Sequence, residues 1–251
     1  MNIFRFLDFF SKKHRIFFIH IPKTAGSTVI QSLGNSFPIS KQAHHIEGVL
    51  VDGVLDQTYR KAEFLSGHIP YNYALQAVQG LNRYSFISIV RDPVEHFYST
   101  VSYTREQPRS AIPQSLIEMH GRLGNLPLDE FIKTMTGFEI DFFQNPQSRI
   151  LSGVYDVSSI DPSSFMATIS TYYDLVGTTE NLDVFLSRAA VKYNLKNVIL
   201  NKKLNVTKNK IKRIDESTAA HKIIKDLVSY DILIYEKIKE AGLLENNNSG
   251  D

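Results

Sequence analysis

Residues 16–28 read IFFIHIPKTAGST, and this stretch decides the expected fold. Its first four residues form a continuous apolar run of the kind found in a buried strand. Beyond the stretch, Val29, Ile30 and Leu33 continue an apolar stripe at helical spacing, and Gly34 stands where a helix would stop. The pattern therefore predicts a buried strand, then a loop of small and polar residues, then a helix.

Three more apolar runs look like buried strands, at 63–66, 84–90 and 173–177. After the second of them, Asp92 is placed to cap a helix whose first residue is Pro93. Further helices are predicted at 128–136, 163–171, 180–194, 215–227 and 229–241. Strands that alternate with helices predict an α/β fold with a mostly parallel central sheet flanked by helices.

The composition is that of an ordinary globular domain, with 43% hydrophobic and 22% charged residues. The length suits one domain over residues 1–251. With 28 basic and 26 acidic side chains the formal charge is only +2, so a broad polycationic surface for nucleic acid is excluded, whereas a local anion site is not. The chain has no cysteine, which excludes disulfides, thiolate metal sites and a cysteine nucleophile. This is compatible with a reducing compartment, and we expect a cytoplasmic protein.

The two ends of the chain carry separate expectations. Residues 1–15 are predicted to form an amphipathic lead-in, because Arg5 and Asp8 interrupt the apolar stretch and no signal-peptide cleavage pattern follows. Such a segment either packs on the domain or makes a weak contact with a membrane surface. Residues 245–251 are polar and are expected to fray. No apolar run approaches the roughly 18 to 20 residues that a membrane span requires, so no span is expected.

The loop after the first strand is predicted to bind an anion. Ala25 and Gly26 are small enough for backbone N–H groups to approach a ligand closely. Ser27 and Thr28 add hydroxyl donors at the start of a helix, where the helix dipole favours negative charge, and Lys23 adds a cation. In a parallel sheet this junction lies at the carboxyl edge, where open α/β folds bind ligands. The loop is not the GxxxxGK[ST] pattern of nucleoside triphosphatases, because Lys23 precedes Gly26 instead of following it.

The segment IPKTAGST at 21–28 resembles the 5′-phosphosulfate-binding loop of sulfotransferases that use 3′-phosphoadenosine-5′-phosphosulfate (PAPS), particularly the carbohydrate branch. Residues 90–105 read VRDPVEHFYSTVSYTR and resemble the 3′-phosphate-binding segment of the same family, a strand that leads into a helix bearing serine. The two segments occur in the expected order, and the resemblance extends from about residue 16 to about 241. It is nearest to the heparan and uronyl 2-O-sulfotransferase branch, as a bacterial-type member.

The resemblance implies a P-loop-like domain and assigns two sets of residues to PAPS. The 5′-phosphosulfate would be held by the loop residues Lys23, Thr24, Ala25, Gly26, Ser27 and Thr28. Arg91 and Ser99 would hold the 3′-phosphate, a role that suits an arginine fork and a hydroxyl about two turns into the helix. Arg105 matches an arginine that closes this motif in the 2-O branch and is a candidate acceptor contact. His96 stands where relatives often carry arginine, so a contact made by that arginine is in question.

A candidate general base lies between the two loops. Gly67 and His68 match a Gly-His pair that supplies the base in the 2-O branch, and His68 is expected at the same sheet edge as Lys23 and Arg91. An imidazole with an ordinary pKa near 6.5 accepts a hydroxyl proton around neutrality. The alternative is an ordinary loop histidine. Relatives carry a second histidine two positions earlier, where this chain has Ser66, so no auxiliary imidazole is expected.

Two weaker features follow. Arg149 lies in a segment that resembles one found in bacterial members of the family, and either an acidic acceptor or a structural salt bridge would explain it. Residues 196–213 contain seven basic residues and no acidic one. This segment is interpreted either as a basic flap near a polyanionic ligand or as a solvated loop. Few aromatic residues are interleaved with these charges, so no nucleic-acid partner is expected.

Together these features predict a PAPS-dependent sulfotransferase that acts on a hydroxyl of a carbohydrate, such as a polysaccharide or other glycan. His68 would accept the hydroxyl proton during in-line displacement, while Lys23 and the loop N–H groups stabilise the charge on departing adenosine 3′,5′-bisphosphate. No metal is expected. One alternative is a P-loop nucleotide kinase in which Asp92 binds magnesium, and another is a PAPS-binding domain without catalysis. A uronic acid, a hexosamine, a glycolipid sugar and a small alcohol all remain open as acceptors.

Overall fold

A six-stranded sheet lies at the centre of the fold. The computed structural model describes residues 15–81, 84–200 and 211–245. The described strands are β1 (Ile16–Ile19), β2 (Gln42–Ala43), β3 (Leu50–Val51), β4 (Val54–Leu55), β5 (Phe64–Gly67), β6 (Ser85–Val90), β7 (Leu175–Thr178) and β8 (Leu244–Glu245). The sheet has the order β2-β5-β1-β6-β7-β8, and each neighbouring pair is parallel except β7–β8. Strands β3 and β4 form a separate antiparallel pair.

Helices connect these strands. The described α-helices are α1 (Gly26–Gly34), α2 (Tyr71–Ala77), α3 (Pro93–Glu106), α4 (Ile117–Asn125), α5 (Leu128–Lys133), α6 (Gly137–Phe143), α7 (Pro146–Ser152), α8 (Pro162–Tyr172), α9 (Leu182–Lys192), α10 (Ala219–Leu227) and α11 (Ser229–Glu240). The predicted α/β class, with a mostly parallel sheet flanked by helices, is confirmed.

Strand β1 is buried on both faces. Phe17 and Ile19 pack into a hydrophobic cluster with helices α2, α7, α8 and α11. Ile16 and Phe18 pack into a second cluster with helices α1 and α9. Successive side chains of a strand point to opposite faces, so a continuous apolar run is what a strand covered on both sides requires. A third cluster joins α3 to α4, α5, α6 and α10.

The strand order reverses direction at β1. Strand β1 lies between β5 on one side and β6 on the other. The chain leaves β1 through α1 toward the β2–β5 side of the sheet and later returns to add β6 on the opposite side. Open α/β sheets bind ligands where the strand order reverses in this way. The residues that follow β1, β5 and β6 therefore share one edge.

Several predicted boundaries differ from the observed ones. The helix predicted at 128–136 ends at Lys133, because Thr136 starts the next helix with a capping box that includes Glu139. The helix predicted at 215–227 starts at Ala219, since the Thr218 side chain caps it. Helices α2, α4, α6 and α7 were not predicted. They have nine residues or fewer, and such short helices depend on tertiary packing more than on their own sequence pattern.

The ends of the chain are described only in part. The amphipathic lead-in predicted for residues 1–15 lies outside the described residues except for Arg15, and so does the tail from 246 to 251. The expectation of a frayed tail is wrong for Glu245, which pairs with β7 through strand β8. Its carboxylate also lies 2.6 Å from Arg188 Nε and 3.3 Å from Lys192 Nζ. None of the described helices is long and apolar enough to cross a membrane.

Candidate active site

The loop after β1 turns sharply before helix α1 begins. Lys23 and Ala25 both adopt left-handed backbone conformations, with φ of 66° and 63°. Thr24 is fully buried, and its hydroxyl donates to the carbonyl of Ile21 at 2.8 Å, which closes the turn. The N-cap residue of α1 is Ala25, whose side chain makes no capping hydrogen bond. The start of this helix therefore keeps the capacity to bind an anion through its backbone N–H groups.

Gly26 is required by the close approach of His20. A Cβ atom on Gly26 would lie 1.8 Å from His20 Nε2. Burial, followed by the neighbouring imidazoles of His68 and His45 and the charge of Lys23, lowers the pKa of His20 to about 3. The His20 ring is therefore neutral near pH 7 and supports the loop by packing against it.

Arg91 joins the two segments that were predicted to bind phosphate. Its Nη1 donates to the carbonyl oxygen of Lys23 at 3.2 Å. Its backbone is fixed by Gln147, whose side-chain amide accepts from the Arg91 N–H at 2.9 Å and donates to the Arg91 carbonyl at 2.8 Å. The guanidinium also lies 3.8 Å from the Glu95 carboxylate. Lys23 and Arg91 thus meet at the carboxyl edge of the sheet.

One face of α3 borders these two cations. Glu95, Ser99 and Tyr103 follow one another at four-residue spacing and so share that face. Glu95 contacts Arg91, and Lys23 Nζ lies 3.9 Å from the centre of the Tyr103 ring, so Ser99 lies on α3 between the two contact points. Burial and the charge of Arg91 lower the pKa of Lys23. The proximity of Lys23 and Arg91 favours a bound anion, because an anion would relieve the repulsion between the two cations.

His68 lies at the same edge, directly after β5. Its Nδ1 is 2.8 Å from the carbonyl oxygen of His20. A carbonyl oxygen only accepts hydrogen bonds, so Nδ1 carries a proton and the neutral ring keeps its lone pair on Nε2. The half-buried ring packs against the His20 ring with 4.1 Å between ring centres. His68 therefore has the tautomer and the position that a proton acceptor needs.

Further imidazoles lie beside His68, although none comes from the position two residues earlier. The rings of His20 and His45 lie with centres 4.1 and 5.4 Å from that of His68. Ser66, at the position where the sulfotransferases that the sequence resembles carry a second histidine, is buried in β5. The expectation considered only the neighbours of His68 along the chain, whereas the fold brings these rings from two other segments.

A carboxylate completes this group. Glu47 Oε2 accepts a hydrogen bond from the His68 backbone N–H at 3.0 Å, and Glu47 Oε1 lies 3.3 Å from His45 Nδ1. Ligand atoms of His45, Glu47 and His68 all lie within 4.8 Å of one another, and no other such group occurs in the three described ranges. No sequence motif marks Glu47 or His45 as members of this group, since they lie some twenty residues before His68 in a segment without a recognisable pattern.

His96 supports the loop after β1 from the side of α3. It is buried, and its Nε2 lies 2.7 Å from the Pro22 carbonyl oxygen, to which it donates. Burial lowers the pKa of His96 to about 4, and the nearby Arg91 and Lys23 charges act in the same direction. His96, at the position where the sulfotransferases that the sequence resembles often carry arginine, is thus neutral, so it positions the loop but supplies no charge to a ligand.

Arg105 and Arg149 both donate to main-chain carbonyls. Arg105 donates to the carbonyls of Leu123 and Leu126 at 2.6 and 3.1 Å, from a different face of α3 than Ser99. Arg149 donates to the Asp141 carbonyl at 2.7 Å and to its carboxylate at 3.2 Å. Both guanidiniums tie neighbouring segments together, and their contact with an acceptor stays a prediction.

The predicted basic flap is described only at its ends. Residues 201–210 of the segment 196–213 lie outside the described residues. Arg213, at the end of the segment, forms an ion pair with Glu95. The segment therefore returns to the same face of α3 that carries Ser99.

Comparison of the chain with models of known protein families and with curated proteins finds no match.

Proposed function

We propose that the chain is a sulfotransferase with a P-loop-like anion site, which transfers a sulfuryl group from PAPS to a hydroxyl of a carbohydrate. The observation that carries the proposal is the hydrogen bond from Arg91 to the Lys23 carbonyl. It joins two segments, 68 residues apart, that each resemble one half of a PAPS-binding site. A donor that carries phosphate groups at both ends can be held by two cationic segments that the fold brings together.

The residues present fit PAPS. The 5′ end would be held by Lys23 and by the first turn of α1, whose N-cap residue Ala25 provides no capping side chain. The 3′-phosphate would be held by Arg91 and Ser99. PAPS supplies an activated sulfuryl group and leaves as adenosine 3′,5′-bisphosphate.

His68 accepts the proton of the acceptor hydroxyl at Nε2. The hydrogen bond from Nδ1 to the His20 carbonyl fixes the ring and its tautomer. The Lys23 ammonium and the N–H groups at the start of α1 stabilise negative charge on the donor side. His20 and His96 hold the loop in shape as neutral rings and do not compete for the transferred proton.

The contacts of Asp92 favour this proposal over a nucleotide kinase. In a kinase Asp92 would bind magnesium. Its carboxylate instead accepts from the Glu95 N–H at 2.9 Å and caps α3, whose first residue is Pro93. A PAPS-binding domain without catalysis has the same cofactor contacts and differs only in the role of His68.

The test is transfer from radiolabelled PAPS to a panel of polysaccharides, uronic acids, hexosamines, glycolipids and small alcohols. We expect the native protein to label a carbohydrate. Lys23→Ala and Arg91→Ala should each bind PAPS about 10- to 100-fold more weakly, the usual effect of losing a charged hydrogen bond. His68→Gln should bind PAPS normally and transfer about 10²- to 10⁴-fold more slowly. Lys133→Ala is the matched control, since Lys133 is exposed and pairs only with Asp129 among the described residues.

Each alternative has its own outcome. Magnesium-dependent consumption of ATP without sulfate transfer would establish the kinase. PAPS binding without transfer, unchanged in His68→Gln, would establish a domain without catalysis. Native turnover in all three site variants would contradict the site.

A further inference from the structure

His45, Glu47 and His68 offer three ligand atoms to one point at the end of β5. Glu47 Oε1 and His45 Nδ1 are 3.3 Å apart. An ion with bonds of about 2.0–2.1 Å and tetrahedral geometry places neighbouring ligand atoms about 3.3 Å apart. All three ligand atoms lie within 4.8 Å of one another, so small rotations of the side chains bring the third atom to the same spacing.

His68 already has the hydrogen bond that is typical of a metal ligand. A histidine that binds metal usually donates its other ring N–H to a carboxylate or a backbone carbonyl, which fixes its orientation. His68 Nδ1 donates to the His20 carbonyl at 2.8 Å, and Nε2 is the remaining ligand atom. The same contact that suits His68 to accept a proton therefore suits it to bind an ion.

Glu47 is held in place by contacts on both sides. Its Oε2 accepts from the His68 N–H, and Oε1 lies beside His45. Gly67 allows this approach, since a Cβ atom there would lie 2.8 Å from Oε2. The carboxylate is thus oriented between the two imidazoles before any ion binds.

The position is accessible and its ligands select a class of ion. The His45 side chain is 66% exposed and that of Glu47 is 34% exposed, so an ion has an entry path and keeps room for solvent ligands. Two imidazoles and one carboxylate suit zinc and related transition metals, whereas magnesium prefers oxygen ligands alone.

We infer that His45, Glu47 and His68 bind one divalent transition-metal ion of the zinc class. The consequence of metal binding for catalysis rests on the proposed function. The lone pair of His68 Nε2 can bind the ion or accept the hydroxyl proton, but not both at once. Zinc binding therefore inhibits sulfuryl transfer.

The direct test is calorimetric titration of the untagged, chelator-treated full chain with zinc chloride, repeated in competition with a chromogenic zinc indicator. We expect one zinc ion per chain. His45→Asn and Glu47→Gln should each weaken binding at least about tenfold, as loss of a ligand requires. Asparagine tolerates the left-handed backbone of His45, whose φ is 54°, and glutamine retains an acceptor for the His68 N–H.

His120→Asn is the control, because His120 lies on α4 and contacts the Gln107 carbonyl. It should bind zinc as the native chain does, and magnesium chloride should give no binding at the same concentrations. The absence of zinc binding by the native chain, or equal binding in all three variants, would overturn the site.

Transfer by the native chain, measured with and without one equivalent of zinc, separates the two proposals. Inhibition that follows zinc occupancy supports both. Zinc binding that depends on His45 and Glu47 in a chain without transfer activity supports the metal site and contradicts the proposed function. Full transfer by the zinc-saturated chain overturns the mutual exclusion at His68, and transfer without any zinc binding overturns the metal site alone.

Discussion

Gly26 tolerates no side chain, because His20 fills the space that a Cβ atom would occupy. Gly26→Ala forces the buried His20 ring away from the loop, and rearrangements of this kind cost about 1–3 kcal/mol. We expect the variant to unfold at lower urea concentration than the native chain. We also expect it to lose binding of adenosine 3′,5′-bisphosphate, because the start of α1 moves with the loop. Urea denaturation and calorimetry measure the two effects.

Gly121→Ala is the matched control. Gly121 lies inside helix α4, and a Cβ atom there would meet nothing within 4 Å. Alanine inside a helix is favoured over glycine by about 0.5–1 kcal/mol, so this variant should be slightly more stable. A Gly26→Ala chain as stable as Gly121→Ala would contradict the packing of His20 against the loop.

Two buried histidines make the fold sensitive to acid. Burial lowers the pKa of His20 to about 3 and that of His96 to about 4, below the value of 6.5 for an unfolded histidine. The unfolded chain therefore binds more protons below pH 6.5, so the stability that these rings contribute above that pH is lost as the pH falls toward 4. Linkage gives a loss of about 2 kcal/mol from each ring at about pH 5. Urea denaturation at about pH 7 and at about pH 5 measures this loss in the free energy of unfolding.

The contribution of His96 is isolated by His96→Gln, which keeps a donor for the Pro22 carbonyl but does not titrate. Asp231 acts in the opposite direction, because burial raises its pKa to about 6 and its contribution is lost as the pH rises through that value. Asp231 and His20 titrate in both proteins, so their contributions cancel in the difference in unfolding free energy between the native chain and His96→Gln. Equal loss of stability on acidification in both proteins would contradict the neutral, buried state of His96.

At the scale of elements, helices α7 and α11 cap each other. Asn145 Oδ1 accepts from the backbone N–H groups of Tyr230 and Asp231 at 3.0 and 3.1 Å. The Asp231 carboxylate accepts in return from the N–H groups of Gln147 and Ser148 at 3.0 and 2.8 Å. All of these groups are buried, so each cap satisfies donors that water does not reach. Gln147 is also the residue that fixes the backbone of Arg91.

Asn145→Ala leaves two buried N–H groups without their acceptor and places alanine at a φ of 45°. We expect a loss of about 2–4 kcal/mol in the free energy of unfolding. Asp161→Ala removes the exposed cap of α8 and should cost only about 1 kcal/mol. Equal losses in the two variants, measured by urea denaturation, would contradict the buried reciprocal cap.

The same elements show which parts of the fold are predictable from sequence. The start of α3 is predictable because Asp92 and Pro93 are adjacent and act locally. The start of α7 has a similar local pair in Asn145 and Pro146, but the side chain that caps it belongs to Asp231, more than eighty residues away, and this contact is not predictable from sequence. Strand β1 is predictable because burial on both faces leaves an uninterrupted apolar run, and β6 because only the buried Ser88 interrupts the apolar run from Phe86 to Val90.

At the scale of the whole molecule, three parallel strands position the residues of the candidate site. Strands β1, β5 and β6 are neighbours, and their carboxyl ends carry Lys23, His68 and Arg91. The expectation that these three residues share an edge followed from parallel topology alone. The contacts between His68, His45 and Glu47 did not follow from it, because they depend on the path of the segment between β2 and β3.

The central claim is that Lys23 and Arg91 hold opposite ends of one nucleotide. Calorimetric titration with adenosine 3′,5′-bisphosphate and with adenosine 5′-monophosphate, which lacks the 3′-phosphate, tests it most directly. We predict that the native chain prefers the bisphosphate by about 10- to 100-fold, that Arg91→Ala abolishes this preference, and that Lys23→Ala weakens both nucleotides while the preference remains. A native chain that binds the two nucleotides equally, or an Arg91→Ala chain that retains the preference, would contradict the account.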